Sequence, residues 1–457
     1  MKIVVLNGSP KGDISVTVQY VKLIQKKNPE HEFQIIPIAH NIQHYEKDLK
    51  KFRQVITSVQ EADGVIWAFP LYAFLVASQY KRFIEMIWEQ GVQEVFRNKY
   101  TAVFSTSVHF FDNTAHNYLR GICDDLGMRF VDAYSADMDD IFVDDRRLGF
   151  LKWAGDFLKA IAGGAVTSRT NPPLVASDFV YRPGRKGRKI AAGKLKIRII
   201  ADPEAPESNI ARMVDRMASS FKGDVKVFDV AAMGLKGGCL GCLQCAFDNR
   251  CVYKDGFVDL FNRELRDADV TLYAGAVRDR YLSSRMKMFR DRSFFNGHIP
   301  VHLNKQVAFL VAGPLGQLPN LQEILQASAE MSGANLAGIV CDESGDSAHI
   351  DALLDDLAVK CVDYARHTYL RPRTFLGVGG HKIFRDQIWS RLRFPFDADF
   401  KFYSEHGLFD FPQNDVRYLE FSDKMIAMIQ EPKMREAVRK VIKTEMLRGY
   451  AKAVETK

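Results

Sequence analysis

Four of the seven cysteines, Cys239, Cys242, Cys245 and Cys251, fall within thirteen residues and read C-x2-C-x2-C-x5-C. Three sulfurs at intervals of three can turn toward one point only in a tight, irregular loop, and Gly237, Gly238 and Gly241 permit one. With a fourth thiolate such a loop can ligate a [4Fe–4S] cubane, each sulfur binding one iron. Structural zinc is the alternative, although zinc sites usually pair two CxxC knuckles across a longer insert; redox-active thiols are a third. Bacterial ferredoxins share the first three hooks but continue x3-C-P; here the last spacer is five and Val252 follows. Cys123, Cys341 and Cys361 are scattered in apolar or helical contexts, as small buried hydrophobes are.

A second segment able to do chemistry is Asn7-Gly8-Ser9-Pro10-Lys11-Gly12-Asp13-Ile14-Ser15-Val16-Thr17, between a short apolar run and an amphipathic stretch. Unpaired amides at a helix start suit a phosphate. Ser9, Ser15 and Thr17 add hydroxyls, and Gly8 lets the backbone approach closely. A plain strand-to-helix turn with a serine cap is the other reading. Phe69-Pro70-Leu71-Tyr72 closes a later apolar run and gives a stiffened, aromatic loop that could hold the other end of a nucleotide.

The elements that must position these loops follow from periodicity. Apolar runs at 2–6, 33–38, 64–69, 101–106 and 130–134 alternate with helical patterns, which predicts a parallel sheet with right-handed crossovers. Five strands in about 160 residues fit the flavodoxin-like doubly wound order. The rhythm restarts at 196–201 and continues through 225–230, 270–275, 306–313 and 335–341, a repeat of architecture with a period near 195 residues. The expected fold class is therefore α/β, with two five-stranded parallel sheets in tandem. The expected parts are residues 1–163, a linker at 164–193, a second domain at 194–369, and an extension at 370–457 that is aromatic-rich and ends in a charged helix. Arg182, Arg185, Lys186, Arg188 and Lys189 sit among Pro and Gly and read as a solvated linker.

The apolar fraction of 47% with 26% charged residues is ordinary for a globular protein, and the net charge of +7 is modest. No run of eighteen apolar residues predicts a membrane span, and no basic face interleaved with aromatics predicts nucleic-acid binding. The expected setting is cytoplasmic, where disulfides are disfavoured. No GxGxxG follows a strand, so a nicotinamide donor would stack on another cofactor directly. His109 and Tyr72 are the candidate acid–base groups, but no catalytic pair stands out, and a lone histidine is more often structural. His381 and Lys382, in GVGGHKIFRDQ, read as a turn of the tail.

On these residues the chain resembles the NADPH-dependent FMN reductase and flavodoxin-like superfamily, over residues 1–160 and 194–365. The resemblance implies that Ser9, Lys11, Ser15 and Thr17 hold the FMN phosphate, with Val16 where an asparagine is usual. It implies that Pro70, Leu71 and Tyr72 contact the isoalloxazine ring, with Ser105, Thr106, Ser107 and His109 along its remaining edge. The cysteine loop, placed after the second strand of its half, looks like that of the iron–sulfur flavoprotein branch, and Met286–Arg292 resembles the family's LKxFxDR helix. The second half has lost the glycine of its first loop and gained Asp202, Glu204 and Glu207. Each carboxylate about 5 Å from a phosphate would cost roughly 1–3 kcal/mol per unit of phosphate charge. Its PxY loop has become Ala276-Val277-Arg278, while the first half carries His40-Asn41-Ile42-Gln43-His44 where the second carries cysteines.

The implied protein is a flavin- and cluster-dependent oxidoreductase moving electrons between FMN, a [4Fe–4S] cluster and NAD(P)H or a small organic acceptor. The alternatives are an electron-transfer module serving ferredoxin or a partner enzyme, and a zinc-stabilised scaffold. Relatives with both groups usually assemble as oligomers; a fused pair could face one FMN and one cluster across a pseudo-symmetric interface.

Overall fold

The computed structural model describes residues 1–185, 189–246, 248–393 and 396–410, and beyond them only 424, 427–428, 431–434 and 437–438. Lys186, Arg188 and nearly all of the expected final helix lie outside the described residues. The chain divides into two compact units, Met1–Phe402 and Tyr403–Lys457. In the second, the rings of Tyr403 and Phe409 pack 5.5 Å apart.

The first unit begins β1 (Lys2–Asn7), α1 (Val16–Lys27), β2 (Glu32–Pro37), α2 (Ile38–Lys47), α3 (Leu49–Glu61) and β3 (Gly64–Pro70). It continues with α4 (Ser78–Glu89), β4 (Tyr100–Ser107), α5 (Asp112–Asp125), β5 (Arg129–Asp137) and α6 (Asp144–Ala162). The second series is β6 (Ile190–Asp202), α7 (Asn209–Ser219), β7 (Phe221–Asp229), α8 (Phe257–Leu260), β8 (Val270–Arg278) and β9 (Tyr281–Leu282). It goes on through α9 (Ser284–Arg292), β10 (Gln306–Ala312), α10 (Pro319–Met331), β11 (Asn335–Cys341) and α11 (Ser347–Arg366), then α12 (Phe375–Trp389) and α13 (Asp397–Glu405). The parallel strand orders are β2-β1-β3-β4-β5 and, read the same way, β7-β6-β8-β10-β11; β9 adds a short antiparallel pairing to β8. Both are the doubly wound order expected from the alternating pattern.

Side-chain alternation assigns each face. Ile3, Val5, Ile66, Ala68 and Phe104 point to an outer core, and Ile197, Ile199, Leu272 and Leu310 do the same in the second sheet. Their neighbours Val4, Leu6, Trp67 and Phe69, with Ile200, Tyr273, Val307 and Phe309, belong to one continuous core shared by both sheets. Parallel strands covered on both faces are buried throughout, hence their near-unbroken apolar runs.

The joint is reciprocal. Helices α4 and α9 share the pattern Ser-x-x-Lys-x-Phe-x-acid, at Ser78, Lys81, Phe83 and Glu85 and at Ser284, Lys287, Phe289 and Asp291. The Ser78 amide donates to Asp291 (2.7 Å), and the Ser284 amide donates to Glu85 (2.6 Å), so each carboxylate caps the start of the opposite helix. Both acids are paired within their own helix, Glu85 with Lys81 (3.1 Å) and Asp291 with Lys287, and all four side chains are buried. This is the self-complementary pattern of a two-fold interface, made within one chain.

Arg182, Arg185 and Lys189 are exposed, but Tyr181 beside them is fully buried, its hydroxyl bonds Asp351 (2.5 Å), and its amide donates to Asn209 (2.8 Å). Upstream, Asp124 accepts from the Asn171 amide (2.9 Å). One expectation needs correction. His381 and Lys382 are not in a turn but inside α12. Its glycines serve close packing, since a methyl group at Gly380 would collide with Met331 and come within 2.8 Å of Phe111, and one at Gly377 would lie 2.6 Å from Glu330.

Candidate functional site

The first loop is built by its own side chains. Asn7 accepts from the Ser9 amide (2.9 Å) and donates to Gly12 O (3.2 Å), Ser9 Oγ accepts from the Lys11 amide (3.2 Å), and Ser15 Oγ caps α1 through the Val18 amide (3.2 Å). A hydroxyl that accepts still has its proton to give, so the cap does not remove Ser9 or Ser15 as donors. The Val16 and Thr17 amides precede any helical partner. Thr17 instead bonds Thr106 (2.6 Å), which ties the loop to β4. Gly8 is required: its amide donates to Ala68 O (2.7 Å), and a methyl group there would lie 2.6 Å from the Tyr80 ring, itself anchored to Leu6 O.

Pro70 closes β3, Leu71 and Tyr72 follow it beside this loop, and the Leu71 amide donates to Thr106 O (3.1 Å). Tyr72 and Leu75 exchange backbone bonds (2.8 and 3.1 Å) around a turn in which Ala73 and Phe74 have φ of 40° and 70°. Beyond β4, His109 and Phe111 also have positive φ, 60° and 54°. Left-handed non-glycine residues cost energy and cluster where a site is shaped.

Ser9, Lys11, Ser15, Pro70, Leu71, Tyr72, Thr106 and Ser107 line one cavity of about 350 Å³, and so do all four cysteines, Cys239, Cys242, Cys245 and Cys251. Ser105 and His109 do not line it. They belong to a chain of bonds behind it: His116 to Ser105 (2.7 Å), Ser105 to Ser135 (3.3 Å), Ser135 to Asp112 (2.5 Å), and Asp112 to His109 (2.9 Å). Burial pushes His116 down to about 4. Burial would raise Asp112, yet the His109 and Ser135 hydrogen bonds outweigh it and hold that carboxyl at about 2, while Asp112 raises His109.

The cysteine loop lies against the first half. Gln79 donates to Cys239 O (3.0 Å) and Gln43 to Lys236 O (2.8 Å). Gly241, at φ 61°, abuts the Tyr72 hydroxyl and Lys11 so closely that no side chain fits, and Gly238 abuts Ser78 and Gln79 likewise. Arg292 fastens the loop: buried, it grips Asp255 through two bonds (2.8 and 2.9 Å), donates to Gly237 O (3.2 Å) and stacks on Tyr253 at 4.1 Å. The Gly241 amide donates to Cys239 Sγ (3.4 Å). Burial, followed by the charges of Asp291 and the neighbouring thiols, pushes Cys239 up to about 12 against that amide; burial likewise pushes Cys245 to about 11. Among the described residues, no three His, Cys, Asp or Glu side chains converge on a point that would hold a metal ion.

The cysteine loop also walls a second space, an interface cleft of about 1020 Å³ that shares Lys11, Leu240, Gly241, Cys242, Leu243 and Tyr253 with the cavity. In the second half's own first loop, buried Asp202 is engaged by Arg285 (2.8 Å) and Ser283.

Several contributors were not read from the sequence. Phe384, Leu392 and Phe396, from the extension, cover the cavity together with Phe110, Phe294 and His298. Phe384 packs 4.1 Å from Phe110 and 4.4 Å from His298, whose Nδ1 bonds buried Asp399 (2.7 Å). Arg391 pins the end of α12 to Asp137 (2.8 Å) and Asp139 (2.9 Å). The aromatic density of RLRFPFDADFKF was the available signal, but nothing in it points to a partner surface.

The residues present fit a flavin nucleotide: hydroxyls and first-turn amides at one end, a proline-stiffened aromatic loop beside them, and a largely apolar cover. Residues 1–140 match the sequence family described as NADPH-dependent FMN reductase. No curated protein sequence matches the chain significantly. Similar solved structures include an NADH:FMN oxidoreductase in its apo form (19% identical, covering 35% of this chain and 89% of that one, TM-score 0.31). A flavoenzyme NAD(P)H:(acceptor) oxidoreductase from Paracoccus denitrificans is 18% identical over 35% of this chain and 97% of that one, with a TM-score of 0.30. An FMN-dependent NADH-azoreductase from Bacillus anthracis is 16% identical over 36% and 99%, with a TM-score of 0.26.

Proposed function

Taking the match of residues 1–140 to the NADPH-dependent FMN reductases as premise, we propose that this protein is a flavin-dependent oxidoreductase that holds FMN in its first half and a [4Fe–4S] cluster on the cysteine loop of its second. The observation that carries the reading is that phosphate-type loop, proline–tyrosine loop and all four thiols line the same cavity. Ser9, Lys11, Ser15 and the first-turn amides of α1 hold the phosphate. Pro70–Tyr72 and the β4 loop bound the ring, with Tyr72 fixed from behind by Lys287, which donates to its carbonyl (2.9 Å). Cys239, Cys242, Cys245 and Cys251 hold the cluster, Arg292 orders their loop, and the Gly241 amide offsets negative charge on Cys239. When bound, FMN would exchange electrons in pairs or singly and the cluster one at a time. The aromatic cover excludes water, and NAD(P)H or a small organic acceptor is the two-electron partner.

Exposure of Cys242 among exposed Leu240 and Leu243 favours a second reading, electron delivery to ferredoxin or a partner enzyme in a reducing, cytoplasmic setting. Brisk NAD(P)H oxidation by the purified protein supports the enzyme; reduction only by ferredoxin supports the carrier. The decisive measurement is an absorption spectrum of anaerobically purified protein with flavin, iron, sulfide and zinc counted per chain. One flavin with four irons is expected. Zinc in place of iron, a colourless protein, or iron content unchanged by alanine at Cys242 and Cys245 overturns the cluster assignment.

A further inference from the structure

A smaller chamber of about 150 Å³ opens beside the proposed flavin cavity, sharing with it Phe110, Phe294, His298 and Phe384. Its remaining walls come mostly from the second half, with Phe261, Tyr273 and Phe289 among them. A dry apolar cavity of ~150 Å³ accepts a benzene ring, so the size and the aromatic walls suit one flat ring.

Two of its polar groups, Arg290 and His302, are not fully matched by the protein, whereas His298, Ser293, Asn296, Ser328 and Ser332 are each bonded within it. Arg290 lines the chamber, its guanidinium 5.2 Å from the centre of the Tyr273 ring, and among the described residues no carboxylate pairs with it. Among the described residues no Asp or Glu lines the chamber itself; the carboxylate of Asp399 lies behind His298 and is held by it. His302, only 3% exposed, bonds the Tyr273 hydroxyl through Nε2 (3.0 Å), while its Nδ1 has no partner among the described residues. Burial, reinforced by Arg290, lowers His302 to about 4, so the ring is neutral near pH 7. A buried polar nitrogen without a partner is costly and calls for a ligand or an ordered water. The structure assigns this chamber as a binding site for a single-ring aromatic anion, a benzoate-type compound whose ring lies among the phenylalanines and whose oxygens meet Arg290 and His302 Nδ1.

This site stands apart from the FMN phosphate and the cysteines, and its test needs neither. Calorimetric titration of the full-length protein, as isolated and freed of cofactor, with sodium benzoate should show one site with Kd of about 0.1–1 mM. Benzyl alcohol, the neutral counterpart, should bind at least about tenfold more weakly. Arg290→Gln should weaken benzoate about ten- to hundredfold and leave benzyl alcohol unchanged, whereas Arg290→Lys should restore part of the loss. An unliganded melting temperature close to the parent's establishes that the variants fold. Absence of saturable benzoate binding up to about 10 mM, equal affinity for the alcohol, or indifference to Arg290→Gln would each overturn the assignment.

Discussion

Replacing Lys287 by methionine keeps the length of the side chain but removes the ammonium that faces Asp291 and the Tyr72 carbonyl. Asp291 is wholly buried and would keep only bonds from Ser78, such as that from its amide at 2.7 Å. Losing one partner of a buried pair costs about 3–5 kcal/mol. The cost is capped because Asp291, which burial already pushes upward, can take a proton. At pH 7 that costs about 1.36 × (7 − 3.9), or ~4 kcal/mol, relative to an ionised aspartate in the unfolded chain. The sign follows from linkage: the folded variant then binds a proton that the unfolded chain does not, so stability falls as pH rises. The deficit should be ~4 kcal/mol at pH 7 and ~1.4 kcal/mol smaller at pH 6. Urea unfolding followed by tryptophan fluorescence at both pH values measures it. The double variant Lys287→Met/Asp291→Asn should recover most of the loss and show no such pH dependence. Lys81→Met should cost less, because Glu85 retains the Ser284 amide (2.6 Å), the Ser284 hydroxyl (2.5 Å) and Arg82 (3.3 Å), and Asp279, the other carboxylate on Lys81 (3.5 Å), is partly exposed. A Lys287→Met deficit below ~1 kcal/mol, the size of a surface pair, or one indifferent to pH, would refute the reasoning.

Other outcomes follow from the same geometry. His109 is raised above its usual 6.5 by Asp112, so its stabilising share is complete below about pH 6.5 and lost as pH rises through the folded value. His109→Gln should therefore lower the melting temperature more at pH 5.5 than at pH 8.5, and equal shifts at both would contradict this. Gly241→Ala meets both a φ of 61° and the Tyr72 hydroxyl. It should cost at least ~1 kcal/mol and reduce flavin and iron per chain together; full loading would count against the shared cavity. Gly380→Ala should loosen α12 at a cost of about 1–3 kcal/mol and speed proteolysis between residues 370 and 396. Unchanged cleavage would show that the close approach to Met331 and Phe111 is dispensable.

What could be read in advance was what is local. Val4 and Leu6 against Ile3 and Val5 show the alternation of a strand covered on both faces, and the glycine–serine turn after β1 announces a helix start. The cysteines announce themselves by spacing. The wall formed by Phe384, Leu392 and Phe396 was not legible, because it depends on a segment from the far end of the chain reaching back over the first half. Gly377 and Gly380 look like turn residues until Glu330 and Met331 are seen beside them. The pairing of Ser78 with Asp291 and of Ser284 with Glu85 was written in both helices, but a repeated motif does not say that its copies touch.

That mutual capping has a consequence for change over generations. In a symmetric pair of identical subunits every substitution arrives twice, so a pocket cannot be altered on one side and kept on the other. Here the two sides are separate letters of one gene. Asp202 and Arg285 can pair in one first loop while Ser9 and Ser15 still line a cavity at the other, and the contact that joins the halves need not notice.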